Sequence, residues 1–359
     1  RCGLLYREAV CGRGAFYRSK KTGESHAGWY VLIGICAAVP CLMVLVLLLM
    51  SADMVFADLL VRFAGVFRFP VKLFRILFML VFGFLSSYCG VRYVQKHAAD
   101  IKPSAGKTAE PLIAIAFTAP IAVLYLLFSA IQIVYLFIGN MQLPVGVTYA
   151  EYARRGFFQL LFVCVLNLAA VLSIQGYFKE NRVLKALLLA ISGCTLIMTA
   201  SSACRMILYI RAYQLTFLRV SVLVALAVIA LLMAGVIAKI VKPQFPLFRY
   251  GFVLVGAVYL VFSFSHVDYF IAAYNLTHTS WEASGEETVD YSYLYTLSTD
   301  AAPAIEKYAG KSGAADYRKQ GWYQLYCEAN EEALNETGLR TYNVSHAVAK
   351  QLLMEDNRE

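Results

Sequence analysis

The chain has 359 residues, of which 60% are hydrophobic and only 15% are charged. Soluble globular proteins average about 45–50% apolar and about 25% charged residues. This composition excludes an ordinary soluble enzyme, a disordered chain and a disulfide scaffold. The apolar residues also occur in runs long enough to cross a bilayer. We therefore expect an all-α, polytopic helical membrane protein with a formal net charge of +9.

Seven segments have the length and character of membrane spans, since a helix that crosses the roughly 30 Å hydrocarbon layer needs about 20 apolar residues. They lie at 29–50, 74–94, 111–138, 157–177, 184–204, 217–238 and 250–266, and together define a membrane domain over 29–266. Between the first two, residues 51–71 are apolar at a helical period. Ser51 is the predicted N-cap and Pro70 the predicted stop, so we expect one helix lying along the membrane interface.

The distribution of Lys and Arg predicts the orientation. If residues 1–28 form a basic cytoplasmic arm or loop, the inner segments hold 16 basic residues and the outer loops hold 9. This bias places the N-terminus in the cytoplasm and the C-terminus outside. The segment 267–359 carries 15 acidic and 7 basic residues. We expect it to form a small, acidic, helical extracytoplasmic tail, in which Trp322, Tyr323 and Leu325 pack.

Motifs of common catalytic and metal sites are absent from the sequence. There is no P-loop, no HExxH, no GxSxG and no CxxC spacing. No Asp, Glu or His lies in the interior of a predicted span, since His266 only ends the last one, which argues against a proton-coupled pump. We therefore predict no catalytic residue, no metal and no cofactor, and we expect a non-enzymatic protein.

Three of the predicted spans contain polar residues. These are Tyr125, Ser129, Gln132 and Tyr135 on one face of the third, Asn167 near the centre of the fourth, and Ser192, Thr195, Thr199 and Ser202 on one face of the fifth. Interhelical hydrogen bonds in a packed bundle would account for them. A polar path through the bundle is the alternative.

An outer arginine group is the most informative feature. The segments 149–160, 205–219 and 266–275 all meet the outer surface in the predicted orientation. Together they supply Arg154, Arg155, Arg205, Arg211, Arg219, Tyr152, Tyr209 and Tyr213, with Glu151 and Asp268 as supporting acids. The planar guanidinium fork holds a carboxylate or phosphate through two bonds, so this group predicts an anion-binding site.

Three alternative roles for the arginine group stay open. Arg and Tyr are common anchors at the headgroup level of a membrane. The acidic tail could instead dock on this basic rim. A catalytic site would use Glu151 or Asp268.

Six blocks of the sequence resemble a bacterial membrane family known only as a domain of unknown function, number four-one-seven-three. They are SADMVFADLL (51–60), TYAEYARRGFFQLL (148–161), LTFLR (215–219), FPLFRYG (245–251), DYFIAAYN (268–275) and YLYTLSTDAAPAI (293–305). The similarity spans about residues 51–310. It implies a bacterial inner or plasma membrane and supplies no activity.

The sequence therefore predicts a binding or signalling component that recognises an anionic group at the outer face, such as a lipid headgroup, a phosphate or a carboxylate. One alternative is a transporter or lipid-handling protein with a path along Tyr125, Gln132 and Asn167. Another is a membrane enzyme that acts on a lipid-linked substrate. Membrane lipids are the expected partners, other membrane subunits are left open, and nucleic acid is not expected.

Overall fold

The structure is a computed structural model that describes residues 26–66, 109–134, 157–278, 280–281, 287–288, 291–308, 320–335 and 343–354. These residues are helical apart from short connections and one antiparallel ribbon. The ribbon pairs β1 (Ser280–Trp281) with β2 (Glu287–Thr288). The predicted all-α class is confirmed.

In the described part of the chain, the helices up to residue 277 are α1 (His26–Ala52), α2 (Met54–Val66), α3 (Pro111–Gln132), α4 (Phe157–Tyr177), α5 (Arg182–Tyr213), α6 (Phe217–Val241), α7 (Leu247–Ser263) and α8 (Val267–Thr277). Among the described residues, α1, α3, α4, α5 and α6 are long and apolar enough to cross a membrane, and the bent pair α7–α8 brings the number to as many as six. The chain is therefore a membrane protein. The predicted number of seven is not confirmed, and the predicted span 74–94 lies outside the described residues.

The junction between α1 and α2 differs from the prediction that Ser51 caps a helix. Ser51 lies inside α1, where its hydroxyl donates to the carbonyl of Leu48 at 2.8 Å. Asp53 caps α2 instead, because its Oδ1 accepts the backbone N–H groups of Val55 at 2.9 Å and Phe56 at 3.0 Å. A carboxylate satisfies the unpaired N–H groups of a first turn and faces the positive end of the helix dipole. Pro70 lies outside the described residues.

The chain divides into two compact units, of which the first comprises residues 1–47, 60–127 and 169–191. In its described part, α1 and α3 approach closely at Gly34. A Cβ added there would lie 2.6 Å from the Cβ of Ala116 and 2.6 Å from the carbonyl oxygen of Ile113. Close helix contacts through small residues are common in membranes. An exposed ion pair also joins Lys179 to Glu110 at 2.7 Å.

The second unit comprises residues 48–59, 128–168 and 192–359. Within it α7 packs on α6, where the hydroxyl of Tyr250 donates to the carbonyl of Leu231 at 2.9 Å and the Tyr250 ring lies against Gly235. No residue of α7 is buried, although the helix is strongly apolar. Its surface therefore has the character of a face that meets lipid.

The second unit also contains a packed C-terminal cluster. It is built from α8, α9 (Tyr291–Leu294), a 3₁₀ turn (Thr299–Ala301), α10 (Ala302–Tyr308), α11 (Gly321–Asn335) and α12 (Val344–Met354). Its fully buried side chains include those of Ile271, Ala272, Leu294, Ile305 and Tyr326. Trp322 and Tyr323 are buried in it as predicted, whereas the prediction for Leu325 is wrong because that side chain is 47% exposed.

A sharp bend separates α7 from α8, at the position where the last span is predicted to end. The two helix axes differ by 60°. His266 caps α8 in the left-handed region, with φ 46° and ψ 57°. A residue with a Cβ adopts this conformation at a cost of about 1–2 kcal/mol, so the surrounding contacts hold the bend in place.

Candidate functional site

Arg205 lies inside a helix and not in an outer loop. The sequence predicts that the fifth span ends at residue 204, but α5 continues to Tyr213. The residues after Arg205 are apolar and contain no helix breaker, so the helix has no reason to end at the charge. The side chain of Arg205 is only 1% exposed. Because a buried guanidinium is costly in an apolar interior, it requires a counter-ion.

That counter-ion is Asp53, which is itself 3% exposed. The Nη2 of Arg205 donates to Oδ2 of Asp53, and Nη1 donates to the carbonyl of Ala52 at 2.9 Å. One carboxylate oxygen of Asp53 therefore caps α2 while the other holds the arginine. The arginine in turn binds the last residue of α1, so the pair fixes the α1–α2 junction against α5.

Two neutral side chains complete this buried ionic network. Gln132 donates from Nε2 to Oδ2 of Asp53 at 2.7 Å, and its Oε1 accepts from Nη2 of Arg205 at 3.3 Å. The hydroxyl of Ser201 donates to the same Oε1 at 2.5 Å. Buried hydrogen bonds of this kind favour one arrangement of the helices, and ionisable groups inside membrane helices commonly mark functional sites.

The described polar residues predicted within the spans are buried, and two of them on α5, Thr195 and Thr199, form hydrogen bonds to α4. Asn167 on α4 donates to the hydroxyl of Thr195 on α5 at 2.9 Å. Thr199 on α5 donates to Sγ of Cys164 on α4 at 3.4 Å. Tyr125, Ser129, Ser192 and Ser202 are also buried. These contacts agree with the packed-bundle interpretation, while Tyr135 lies outside the described residues.

Arg219 closes the end of α5. Its Nη1 donates to the carbonyl of Tyr213 at 2.5 Å and to that of Gln214, and its guanidinium lies 4.4 Å from the ring centroid of Tyr209. An arginine here satisfies carbonyls that have no helical partner and is attracted to the negative end of the helix dipole. The face of Tyr209 adds a cation–π contact.

Asn275 fastens the connection between α5 and α6. Its side-chain amide accepts from the N–H of Leu215 at 2.8 Å and donates to the carbonyl of the same residue at 2.9 Å. Gln214, which is held at φ 64°, donates from Nε2 to the carbonyl of His278 at 2.8 Å. Two of the blocks that carry the family resemblance, 215–219 and 268–275, therefore bind each other.

The remaining predicted site residues differ in their exposure and in their contacts. Arg211 is exposed on the last turn of α5, and Tyr213 beside it is 45% exposed. Within the described part of the chain, no hydrogen bond or ion pair engages the Arg211 guanidinium. Asp268 accepts from the N–H of Ser298 at 3.1 Å and from its hydroxyl at 2.5 Å. Glu151, Tyr152, Arg154 and Arg155 lie outside the described residues.

A cavity of about 410 Å³ opens where the α7–α8 bend meets the C-terminal cluster. Its lining includes Ser265, His266, Tyr269, Phe270, Asp300 and Val348. Nδ1 of His266 lies 3.5 Å from Oδ2 of Asp300. No sequence motif indicates this cavity, because its walls come from segments about 80 residues apart.

Tyr326 lies in the C-terminal cluster, where its hydroxyl donates to the carbonyl of Ser298 at 2.9 Å. Burial raises the pKa of Tyr326 above its ordinary value, and the charges of Asp268 and Asp300 raise it further. Burial also raises the pKa of the Cys327 thiol.

Within the described residues, no group of three or more His, Cys, Asp or Glu side chains could hold a metal ion.

A family model described as "Domain of unknown function (DUF4153)" matches residues 4–308. The chain belongs to this family. The motif blocks therefore point to an uncharacterised family as expected, with the number corrected from four-one-seven-three. No curated protein and no solved structure matches the chain.

Proposed function

We propose that this DUF4153 protein is a non-enzymatic binding or signalling component of a bacterial inner or plasma membrane. Its N-terminus is cytoplasmic and its acidic C-terminal segment is extracytoplasmic. It recognises an anionic group at the outer end of α5 through Arg211, and Arg154 and Arg155, which lie outside the described residues, are further candidates for the site. Arg205 and Arg219 support this site and do not contact the ligand.

One observation carries the proposal: α5 presents an arginine that no hydrogen bond or ion pair among the described residues engages, on a turn that is fixed from both sides. Arg205 ties the helix to Asp53 six residues before Arg211, which is about 9 Å along an α-helix. Arg219 bonds the carbonyls just after it. A binding group on a rigid, supported element keeps its geometry better than one on a loop. The exposed Tyr213 ring supplies a neighbouring polar tip.

The signalling part of the proposal rests on the same helix. An anion bound to Arg211 exerts an electrostatic force on the end of α5. The buried Arg205 lies less than two helical turns from Arg211 on the same helix. Because the Asp53–Arg205 pair joins α5 to the α1–α2 junction, a shift of α5 has to be accommodated at that pair. Packed interfaces respond to such shifts by changing between discrete arrangements.

The test compares Arg211→Gln with Arg182→Gln, an exposed arginine at the other end of the same helix. Native mass spectrometry of the full chain measures retained phosphatidylglycerol, and equilibrium dialysis measures inorganic phosphate. Losing a charge-assisted contact of about 1.5–3 kcal/mol predicts roughly a tenfold or greater loss for Arg211→Gln and none for Arg182→Gln. Loss of lipid alone identifies a headgroup as the ligand. Equal losses in both variants, or none in either, would overturn the proposal.

The orientation has its own test. Fusions to the C-terminus should give an active alkaline phosphatase, which folds outside the cytoplasm, and a dark green fluorescent protein, which does not fold after Sec export. The opposite pair of signals would place residues 267–359 in the cytoplasm and contradict an outer anion site.

A second candidate function is transport, favoured by the buried network of Asp53, Arg205, Gln132 and Ser201. Ionisable groups buried in membrane helices often couple proton movement to a conformational change. Proteoliposomes with a pH-sensitive dye inside and an imposed potential would test this. Proton flux that Asp53→Asn abolishes would support coupling, and no flux with the unaltered chain would rule against it.

A further inference from the structure

The cavity at the α7–α8 bend combines two kinds of wall. His266 and Asp300 form a polar end, in which the Nδ1–Oδ2 separation is 3.5 Å. Tyr269, Phe270 and Val348 form aromatic and aliphatic walls. The volume of about 410 Å³ lies in the range of small-molecule sites, roughly 300–1,000 Å³. A ligand that fits both walls has one charged or polar group and an apolar body.

The charges around the cavity favour a cation. The described residues that line it include neither lysine nor arginine, while Asp300 supplies a carboxylate that is 29% exposed. The whole segment 267–359 carries a net charge of −8, which adds a negative potential. A phosphate or carboxylate would therefore meet repulsion here, in contrast to the environment of Arg211.

The aromatic rings match an ammonium group in particular. Tyr269 and Phe270 are adjacent on α8 and meet nearly at right angles, with ring centroids 5.6 Å apart and an interplanar angle of 89°. Proteins bind quaternary ammonium groups against the negative faces of aromatic rings, and a nearby carboxylate adds a charge attraction. The polar end and the ring pair thus define the position of one positive head group.

An apolar route leads away from the cavity. Phe264, which precedes the lining residue Ser265, is 76% exposed, and Phe270 is 60% exposed. Beyond Phe264 lies the apolar α7, in which no residue is buried. A chain that leaves the cavity along this route remains in contact with apolar side chains and with lipid.

We infer that this cavity binds a single-chain amphiphile with an ammonium head group. The head lies between Asp300 and the Tyr269–Phe270 ring pair, and the alkyl chain follows Phe264 towards α7. The site is separate from the proposed anion site at Arg211, in both its residues and the charge of its ligand. Either can therefore fail without the other.

The test uses radiolabelled octyltrimethylammonium and the full chain in dodecyl maltoside micelles. Equilibrium dialysis against protein-free micelles subtracts simple partition. We expect octyltrimethylammonium to bind at one saturable site. Octyl glucoside and octyl sulfate, which have the same alkyl chain length, should not compete with it. Asp300→Asn should weaken binding tenfold or more and Phe270→Leu several-fold. Glu328→Gln on α11 and Phe252→Leu on α7, which lie outside the cavity, should leave it unchanged.

A variant that fills the cavity tests the site without changing the Asp300 carboxylate. Val344 lies on the rim and is 63% exposed, so Val344→Trp should occlude the cavity and abolish binding while near-UV circular dichroism stays unchanged. Unaltered binding in Val344→Trp or in Asp300→Asn would overturn the site. Equal competition by all three head groups would show partition only, and preference for octyl sulfate would show an anion site.

Discussion

Asp53 and Asn275 each hold two parts of the chain with one small side chain. Asp53 caps α2 through one oxygen and holds Arg205 and Gln132 through the other. Asn275 binds both backbone groups of Leu215. In such contacts the cost of losing one partner exceeds the net value of the contact, because the groups left behind stay buried and unsatisfied.

The first prediction separates the two roles of Asp53. Asp53→Asn keeps an oxygen that can cap α2 but removes the charge that compensates Arg205. We expect the free energy of unfolding to fall by roughly 3–5 kcal/mol, as for other broken buried ion pairs. The double variant with Arg205→Gln should lose less than the sum of the single losses. Urea unfolding in micelles measures this, and additive losses would contradict a direct pair.

The second prediction concerns Asn275. Asn275→Ala leaves the N–H and carbonyl of Leu215 without their partner, each at a cost of about 1–3 kcal/mol. Asn275→Asp keeps the acceptor for the N–H and loses the donor. The native chain should therefore have a higher thermal unfolding midpoint than either variant. In Asn275→Ala, the connection formed by residues 214–216 should also become cleavable by protease. If that connection stays resistant, Asn275 does not fasten it.

At the scale of helices, α4 matches its predicted span at both ends, and α3 begins where predicted. Hydrophobic length is a local property, so the sequence is sufficient to predict it. The end of α5 and the partner of Arg205 are not local. Asp53 and Arg205 are separated by 152 positions, and a lone arginine after an apolar run is indistinguishable from the start of a loop.

The candidate site was accessible to prediction only in part. The tyrosines and arginines at the end of α5 stand out because they cluster in the sequence. Asp is a common N-cap residue, so Asp53 in the block SADMVFADLL could have been predicted to cap α2. Ser51 fits the same N-cap pattern, so the sequence does not decide between them. Nothing local shows that the second oxygen of Asp53 meets an arginine. The cavity beside His266 depends on a backbone bend that composition does not specify.

The third prediction tests the α1–α3 contact. Gly34→Ala places a methyl group 2.6 Å from the backbone oxygen of Ile113, so the helices must separate. Gly28→Ala in the same helix meets nothing within 4 Å. Alanine is favoured over glycine in a helix by about 1 kcal/mol, so Gly28→Ala should be neutral or stabilising and Gly34→Ala destabilising. Thermal melting of both variants decides this, and equal midpoints would contradict the contact.

For the whole molecule, charge divides along the chain, with +17 before residue 267 and −8 after it. The basic part includes the membrane helices and the acidic part contains the packed C-terminal cluster. We therefore expect the stabilities of the two parts to depend differently on pH. The cluster contains a buried phenol, Tyr326, whose pKa is raised by burial and by nearby acids.

The fourth prediction follows from that phenol. In the unfolded chain tyrosine ionises near pH 10, whereas folded Tyr326 keeps its proton to higher pH. Its contribution to stability is therefore complete below about pH 10 and is lost as the pH rises above it. Tyr326→Phe should cost about 1 kcal/mol at pH 8 through the lost bond to Ser298, and this difference should shrink above pH 10. Near-UV circular dichroism of unfolding at each pH measures it, and a constant difference would contradict the shift.

The long separation between Asp53 and Arg205 has a consequence for synthesis. The ribosome completes the end of α1 152 residues before it reaches the arginine that neutralises Asp53. At about 5–20 residues per second, the carboxylate waits roughly 8–30 seconds for its counter-ion. During that interval the Asp53 carboxylate lacks the ion pair that it has in the folded protein. The α1–α2 junction is therefore made before α3, α4 and α5, but its ion pair forms only after α5 has been made.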